Sequence, residues 1–339
     1  MGTPTTDFSY DLPAGAIAQH PVDPRDASRL LDADTLDDHG FASLPDLLSP
    51  GDVVVVNRSR VRAARLIGKR TGSGGRVEAL LLRPIVNDRW TAVVRPARRL
   101  RPGTVIDFGP IRATIEETRG GGLVEVSMIA DGSLEDAIAA AGTIPLPPYI
   151  HEPLADPERY QTIFAAEVGS AAAPTAGLHF TPGLVDQLTA RKIAVAEIEL
   201  RVGLDTFRPI SSANIEDHLI HTESLTVPPE AAAAINDRRG KVIAVGTTVV
   251  RTLETRASRD GRIEAGSVDT SLYITPGYEF SVVDRLVTNF HLPGTSLIVL
   301  VASFMGDRWR VAYETALSRG YRFASFGDAM IASRAGSSG

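Results

Sequence analysis

The 339-residue sequence predicts the α/β class, a mixed sheet flanked by helices, with a small antiparallel β-barrel inserted into it. Three observations carry that expectation. Residues 51–57 read GDVVVVN, a short apolar run opened by a turn, which is the pattern of a strand buried on both faces. The C-terminal half alternates strand-like and helix-like segments, as a parallel or mixed sheet with crossover helices requires. Between them lie short alternating segments separated by glycine-rich turns, the pattern of a barrel or meander.

Taken in order, residues 77–82, 90–94, 104–108, 111–115 and 123–128 are expected strands of the barrel. Turn sequences at 72–75, 87–88, 101–103 and 120–122 separate them. A helix is expected over 133–141. The prolines at 145, 147 and 148 fit neither a helix nor a central strand, and mark re-entry into the first domain. There, helices are expected over 182–191, 229–239 and 247–257, and strands over 193–202, 241–246 and 281–287. The domains expected are therefore 1–66 with 146–339, and an inserted barrel at 67–145.

Composition narrows the chemistry. There is no cysteine, which excludes disulfides, thiolate nucleophiles and zinc–thiolate sites. The first ten residues lack the features of a signal peptide, and no uncharged apolar run approaches the ~18 residues of a membrane span. A soluble cytoplasmic protein is expected. The net charge of -6 conceals an asymmetry: residues 60–119 hold 14 Lys+Arg against 5 Asp+Glu. A basic segment inside an acidic chain reads as a footprint for phosphates, or as an arginine-rich solvated surface.

The segment 169–181, GSAAAPTAGLHFT, follows neither helical nor strand periodicity. Pro174 removes a backbone donor, Gly177 allows close approach, and the small residues keep the backbone thin beside His179. That suits a ligand pocket, and equally a tight loop around a satisfied histidine. Gly246-Thr247-Thr248 links an expected strand to a helix whose free N–H groups suit an anion, with Arg251 one turn in. Asn289-Phe290-His291-Leu292-Pro293 follows an expected strand, where α/β proteins bind ligands. His218 and His221, with Glu223 nearby, would share a helical face, but no third ligand has diagnostic spacing and no metal is expected. There is no P-loop, dinucleotide fingerprint, zincin motif or nucleophile elbow.

Together these segments resemble the S-adenosylmethionine:tRNA ribosyltransferase-isomerase family of queuosine biosynthesis. The likeness runs through YDLP (10–13), IAQHP (17–21), RDASRL (25–30), VRPARRL (94–100), PLPPYI (145–150) and ERYQT (158–162). It continues through APTAGLHF (173–180), residues 245–251, VTNFHLP (287–293) and residues 321–330. The resemblance implies an α/β sandwich domain carrying a β-barrel. It implies S-adenosylmethionine as co-substrate, no metal, and transfer of its ribosyl part to an aminomethyl-deazaguanine in the tRNA wobble position, with loss of adenine and methionine. His179 and His291 are then the imidazoles that serve as base and as acid or orienting group, with Asn289 beside them. Pro174, Thr175, Gly177, Phe180, Gly246, Thr247, Thr248, Arg251, Phe290 and Pro293 would line the substrate pocket, the Thr247–Thr248 turn and Arg251 holding the methionine carboxylate. Arg95, Arg98, Arg99 and Arg101 would meet anticodon-stem phosphates. A cytoplasmic monomer is expected.

The chain departs from the family pattern at Arg58-Ser59 (Asp-Thr in the family), at Thr143 (a histidine), and at Arg201 and Asp205 (a histidine and a glycine). The order after the last His-Leu-Pro also differs, at Gly294-Thr295-Ser296. Three readings follow. The chain carries out the family reaction on tRNA, or uses the same site on a small-molecule acceptor, or binds RNA without catalysis.

Overall fold

The computed structural model describes every residue except 1, 87, 204–208, 221 and 337–339. Two compact units are present, Met1–Arg60 with Pro147–Gly339, and Val61–Leu146. The first unit opens with strands β1 (Arg29–Asp32), β2 (Asp38–Gly40) and β3 (Val53–Asn57), after which β4 (Ser59–Val61) leads onward. The second unit holds β5 (Arg65–Arg70), β6 (Arg76–Val86), β7 (Arg89–Arg95), β8 (Val105–Asp107), β9 (Ile111–Thr118) and β10 (Leu123–Ala130). Helix α1 (Leu134–Ala141) and β11 (Gly142–Thr143) complete it. The first unit resumes with β12 (Glu167–Ser170), α2 (Pro182–Ala190), β13 (Ala194–Leu200), β14 (Glu223–Val227), α3 (Pro229–Asn236) and β15 (Val242–Val245). It ends with α4 (Thr247–Arg256), β16 (Gly266–Thr270), β17 (Arg285–Asn289), α5 (Ser296–Met305), α6 (Arg308–Ser318) and β18 (Ala329–Ser333).

Nine strands of the first unit form one mixed sheet in the order β16-β14-β13-β3-β15-β17-β18-β1-β2. Its centre, β13, β3, β15 and β17, is parallel, and antiparallel strands flank it. The valine run of β3 is the hub. Val53 and Val55 enter one core with residues of α3, α4, α5 and α6, while Val54 and Val56 enter the opposite core with Leu184 and Leu188 of α2. Alternation along a strand sends successive side chains to opposite faces, so a strand covered on both sides must be apolar throughout. Each such valine contributes about 1.5–3 kcal/mol by leaving water. The expected sandwich is the observed one, and no helix is long and apolar enough to cross a membrane among the described residues.

In the second unit β5-β6-β7-β10-β9-β8 run antiparallel, and β8 pairs back onto β5, closing a six-stranded barrel. Val77, Ala79, Leu81, Ile111, Ala113, Ile115, Val124, Val126 and Met128 alternate into its interior, with Ala137 and Ile138 of α1 packed among them. Gly68 makes the closure possible: a Cβ there would lie 2.2 Å from the Asp107 carbonyl oxygen. The Ser133 side chain caps α1 by accepting from the Asp136 N–H.

Three expectations are corrected. The strand expected over 281–287 is β17, Arg285–Asn289. The buried Glu254 carboxylate draws the preceding backbone aside, accepting from the N–H groups of Ser281, Val282 and Val283. Strand β5 has no counterpart among the expected strands. The apparently irregular 169–181 segment includes the end of β12 and a 3-10 turn, Thr175–His179.

Candidate active site

A cleft opens at the carboxyl edge of the parallel strands, where an α/β sheet gathers its loops. Pro174, Thr175, Gly246, Thr247, Thr248, Asn289 and His291 line it, together with Tyr149, Val202, Thr288, Thr295, Leu297 and Ser325. Gly246 turns the chain from β15 into α4 with φ 93°, in the left-handed region that favours glycine. No described side chain caps the helix start; the Val249 and Val250 N–H groups return to the Gly246 carbonyl, which leaves those of Thr247 and Thr248 at the positive end of the helix dipole. The Thr248 Oγ1 is buried and has no hydrogen-bond partner among the described residues.

His179 lies behind this wall and does not line the cleft. It is 4% exposed and stacks on Phe41 with ring centroids 4.7 Å apart. Both ring nitrogens are engaged, Nδ1 with Ser28 Oγ at 2.8 Å and Nε2 with Asn289 Nδ2 at 3.0 Å. Two backbone carbonyls set the polarity of this chain. The Asp328 oxygen, 3.4 Å from Asn289 Nδ2, can only accept and so orients the amide. His179 Nε2 must then accept, its Nδ1–H donates to Ser28, and Ser28 donates to the Arg25 carbonyl at 3.3 Å. At the other end Asn289 Oδ1 accepts from Thr175 Oγ1 at 2.8 Å. With its proton committed, the Thr175 hydroxyl has only acceptor capacity left for the cleft. Burial, only partly offset by Asp328, holds the His179 imidazolium down to about 4, so the ring is neutral.

His291 stands on the cleft itself. Its backbone N–H donates to Tyr313 Oη, Tyr10 donates to its carbonyl, and Nε2 meets Thr288 Oγ1 at 2.9 Å. No hydrogen bond to Nδ1 is found among the described residues. Burial pushes this imidazolium down to about 3. Two neutral imidazoles offer no repulsion to a bound cation.

Other expected site residues are placed elsewhere. Phe180 is buried against Phe41 and Phe164, and Phe290 sits among Tyr313, Tyr321 and Phe323. Gly177 packs against Thr162, where a Cβ would come within 3.0 Å. Pro293 does not line the cleft. Arg251 lines a second cavity of about 360 Å3, where its Nη1 pairs with the buried Glu223 carboxylate and its Nε donates to the Leu272 carbonyl at 3.0 Å. Among the described residues His218 and Glu223 share no helical face: His218 follows a 3-10 turn and Glu223 opens β14, while His221 lies outside the described residues. No group of three His, Cys, Asp or Glu suited to a metal is found among the described residues.

Two cleft residues outside the expected set, Tyr149 and Ser325, are bonded to each other at 2.7 Å. Their signal lay in the PLPPY and FASFG segments, whose separation in the chain hid the pairing. Of the departures, Arg58 approaches Glu167 at 3.9 Å, and Arg201 bonds Glu199 at 2.7 Å. Neither lines the cleft. Thr143 donates to the Arg65 carbonyl within the barrel unit at 3.3 Å, and Asp205 lies outside the described residues. In that unit Arg95, Arg98, Arg99 and Arg101 are all exposed, clustered from the end of β7 through a 3-10 turn. None of the four forms an ion pair with a described residue.

Comparisons with known proteins identify the family. Residues 5–332 match the family model described as "Queuosine biosynthesis protein". The S-adenosylmethionine:tRNA ribosyltransferase-isomerase of Moorella thermoacetica is 50% identical over 96% of this chain and 98% of its own. That of Symbiobacterium thermophilum is 48% identical with the same coverage. The crystal structure of an S-adenosylmethionine tRNA ribosyltransferase from Thermotoga maritima, 34% identical, aligns with 96% of this chain and 99% of its own at a TM-score of 0.54.

Proposed function

Because the chain belongs to the queuosine biosynthesis protein family, we infer that it is an S-adenosylmethionine:tRNA ribosyltransferase-isomerase. The enzyme transfers the ribosyl part of S-adenosylmethionine to 7-aminomethyl-7-deazaguanine in tRNA and isomerises it. Epoxyqueuosine forms, and adenine and methionine leave. The observation that carries this reading is the identity of 50% with an enzyme of that name across 96% of the chain. Arg58 and Arg201 are not among the cleft-lining residues, and no described residue favours a small-molecule acceptor.

The cleft supports a division of labour for this chemistry, which needs a base near the sulfonium-activated carbon, donors at the departing adenine and tolerance of a cation. The base falls to His291, which lines the cleft and keeps a ring nitrogen without a protein partner among the described residues. His179 is a positioning residue: it holds Asn289, which holds Thr175. Neither imidazole carries a spare proton at neutral pH, so the first turn of α4 supplies the donors for the adenine ring nitrogens. Pro174, Gly246, Thr247 and Thr248 form the wall around the nucleoside.

The exposed arginines Arg95, Arg98, Arg99 and Arg101 suit backbone phosphates, and the anticodon stem-loop is the part of tRNA that brings the wobble base to an enzyme. A cytoplasmic protein acting as a monomer on tRNA is the reading we propose. Nucleoside analysis of tRNA carrying the aminomethyl-deazaguanine base, after incubation with protein and S-adenosylmethionine, tests the reading. Appearance of epoxyqueuosine supports it, and an unchanged nucleoside overturns it.

A further inference from the structure

We propose that the second cavity of the α/β unit receives the α-amino acid end of S-adenosylmethionine, with Arg251 taking the carboxylate and Glu223 the ammonium. The proposal rests on the function inferred above.

The cavity adjoins the cleft. Leu297 lines both, and the adjacent residues Val202 and Gly203 divide between them, Val202 on the cleft and Gly203 on the cavity. Helix α4 likewise contributes Thr247 and Thr248 to one and Arg251 to the other, one helical turn apart. A ligand that fills the cleft with its nucleoside therefore has a continuation into the cavity along α4 and α5.

The charges there are unusual for structural roles. The Arg251 and Glu223 side chains are 14% and 7% exposed, so both ions have lost most of their hydration. Replacing such a pair by apolar residues is often neutral or stabilising, which makes its presence at a cavity wall a matter of recognition. The pair is also incompletely used. Glu223 accepts from Arg251 and from the Gly203 N–H at 2.7 Å, and Arg251 donates from Nη1 and Nε. Among the described residues, Arg251 Nη2 and the Tyr273 hydroxyl are buried with no hydrogen-bond partner. Buried donors without partners are costly, and an incoming carboxylate would satisfy both.

The sign of the site selects the ligand class. A lone anion would be attracted by Arg251 and repelled by Glu223, and a lone cation would meet the reverse. An α-amino acid zwitterion pairs with both, and Asp217, which also lines the cavity, adds a second carboxylate that favours the ammonium end. Methionine, the product of the reaction, carries that same group.

The test is isothermal titration of the full chain with S-adenosylmethionine, its decarboxylated analogue and 5′-methylthioadenosine, with and without tRNA lacking the modified base. S-adenosylmethionine is expected to bind about ten- to a hundredfold tighter than the decarboxylated analogue, as for removal of a charged hydrogen bond. Tyr273→Phe, a variant that removes only one hydroxyl, should weaken S-adenosylmethionine and leave 5′-methylthioadenosine unchanged; a thermal melt verifies its fold. Equal affinity of S-adenosylmethionine and the decarboxylated analogue overturns the proposal while the inferred function stands. Failure of S-adenosylmethionine to bind under either condition overturns the inferred function, and the proposal with it.

Discussion

Asn289 donates from Nδ2 to Nε2 of His179 at 3.0 Å, and this bond sets what each contributes to the cleft. The imidazole acts as a fixed acceptor that turns the amide, and the amide in turn commits the proton of Thr175. In the mechanism we propose, His179 is the orienting group of the two imidazoles and His291 the base.

The polarity of this chain is measurable. Nitrogen-15 NMR of the imidazoles should show His179 as the neutral Nδ1–H tautomer throughout pH 5–8. Asn289→Asp, which sets a carboxylate against Nε2, should raise its pKa. The opposite tautomer in the wild type, or a ring titrating near 6.5, contradicts the assignment.

The two lowered imidazoles also set a pH dependence of stability. In the unfolded chain each titrates near the ordinary value of 6.5, whereas burial holds them at about 4 and about 3 in the folded protein. The unfolded state therefore binds more protons below pH 6.5, and stability must fall as the pH drops. Each histidine contributes a loss on the order of 1 kcal/mol per pH unit between 6.5 and its folded value. Denaturant titrations at pH 7.5 and 5.0 check this against His179→Phe, which should show a shallower dependence. An identical slope in the variant contradicts it.

Substitution separates support from chemistry. His291→Ala is expected to lower adenine release by about a hundredfold or more, the range for removal of a general acid or base, with the fold retained. His179→Ala should instead destabilise the protein by about 2–4 kcal/mol, because it leaves a buried amide unpaired beside Phe41 and a void behind the cleft. Urea melts and adenine release measured together distinguish the two. Near-wild-type release in His291→Ala would remove it from the chemistry.

The barrel arginines carry a separate expectation. Reversing charge at Arg98 and Arg99 should weaken tRNA binding, and the slope of log affinity against log salt should drop by about one for each phosphate no longer neutralised. Unchanged affinity and slope would place the RNA-binding surface elsewhere.

Much of this was legible in the chain because it was local. The valine run of β3, the Gly246 turn into α4 and the alternating barrel strands each announce themselves within a few residues. What was not legible depended on distant partners. Strand β5 reads RLIGKR, with Leu66 its only fully buried side chain, and it becomes a strand because β6 and β8 pair with it. The start of β17 lies later than expected because Glu254, on α4, captures the preceding amides. His179 packs behind the cleft because Ser28, 151 residues away, and Phe41 hold its ring inward. Arg251 follows the Gly246 turn in sequence, whereas Glu223 draws it into the neighbouring cavity.

The decisive experiment is the release of adenine and methionine from S-adenosylmethionine, followed with and without tRNA bearing the aminomethyl-deazaguanine base. For a ribosyltransferase-isomerase acting on tRNA, release should require this tRNA and should yield equal amounts of adenine, methionine and modified RNA. Release at the same rate without tRNA, or none in its presence, would contradict that function.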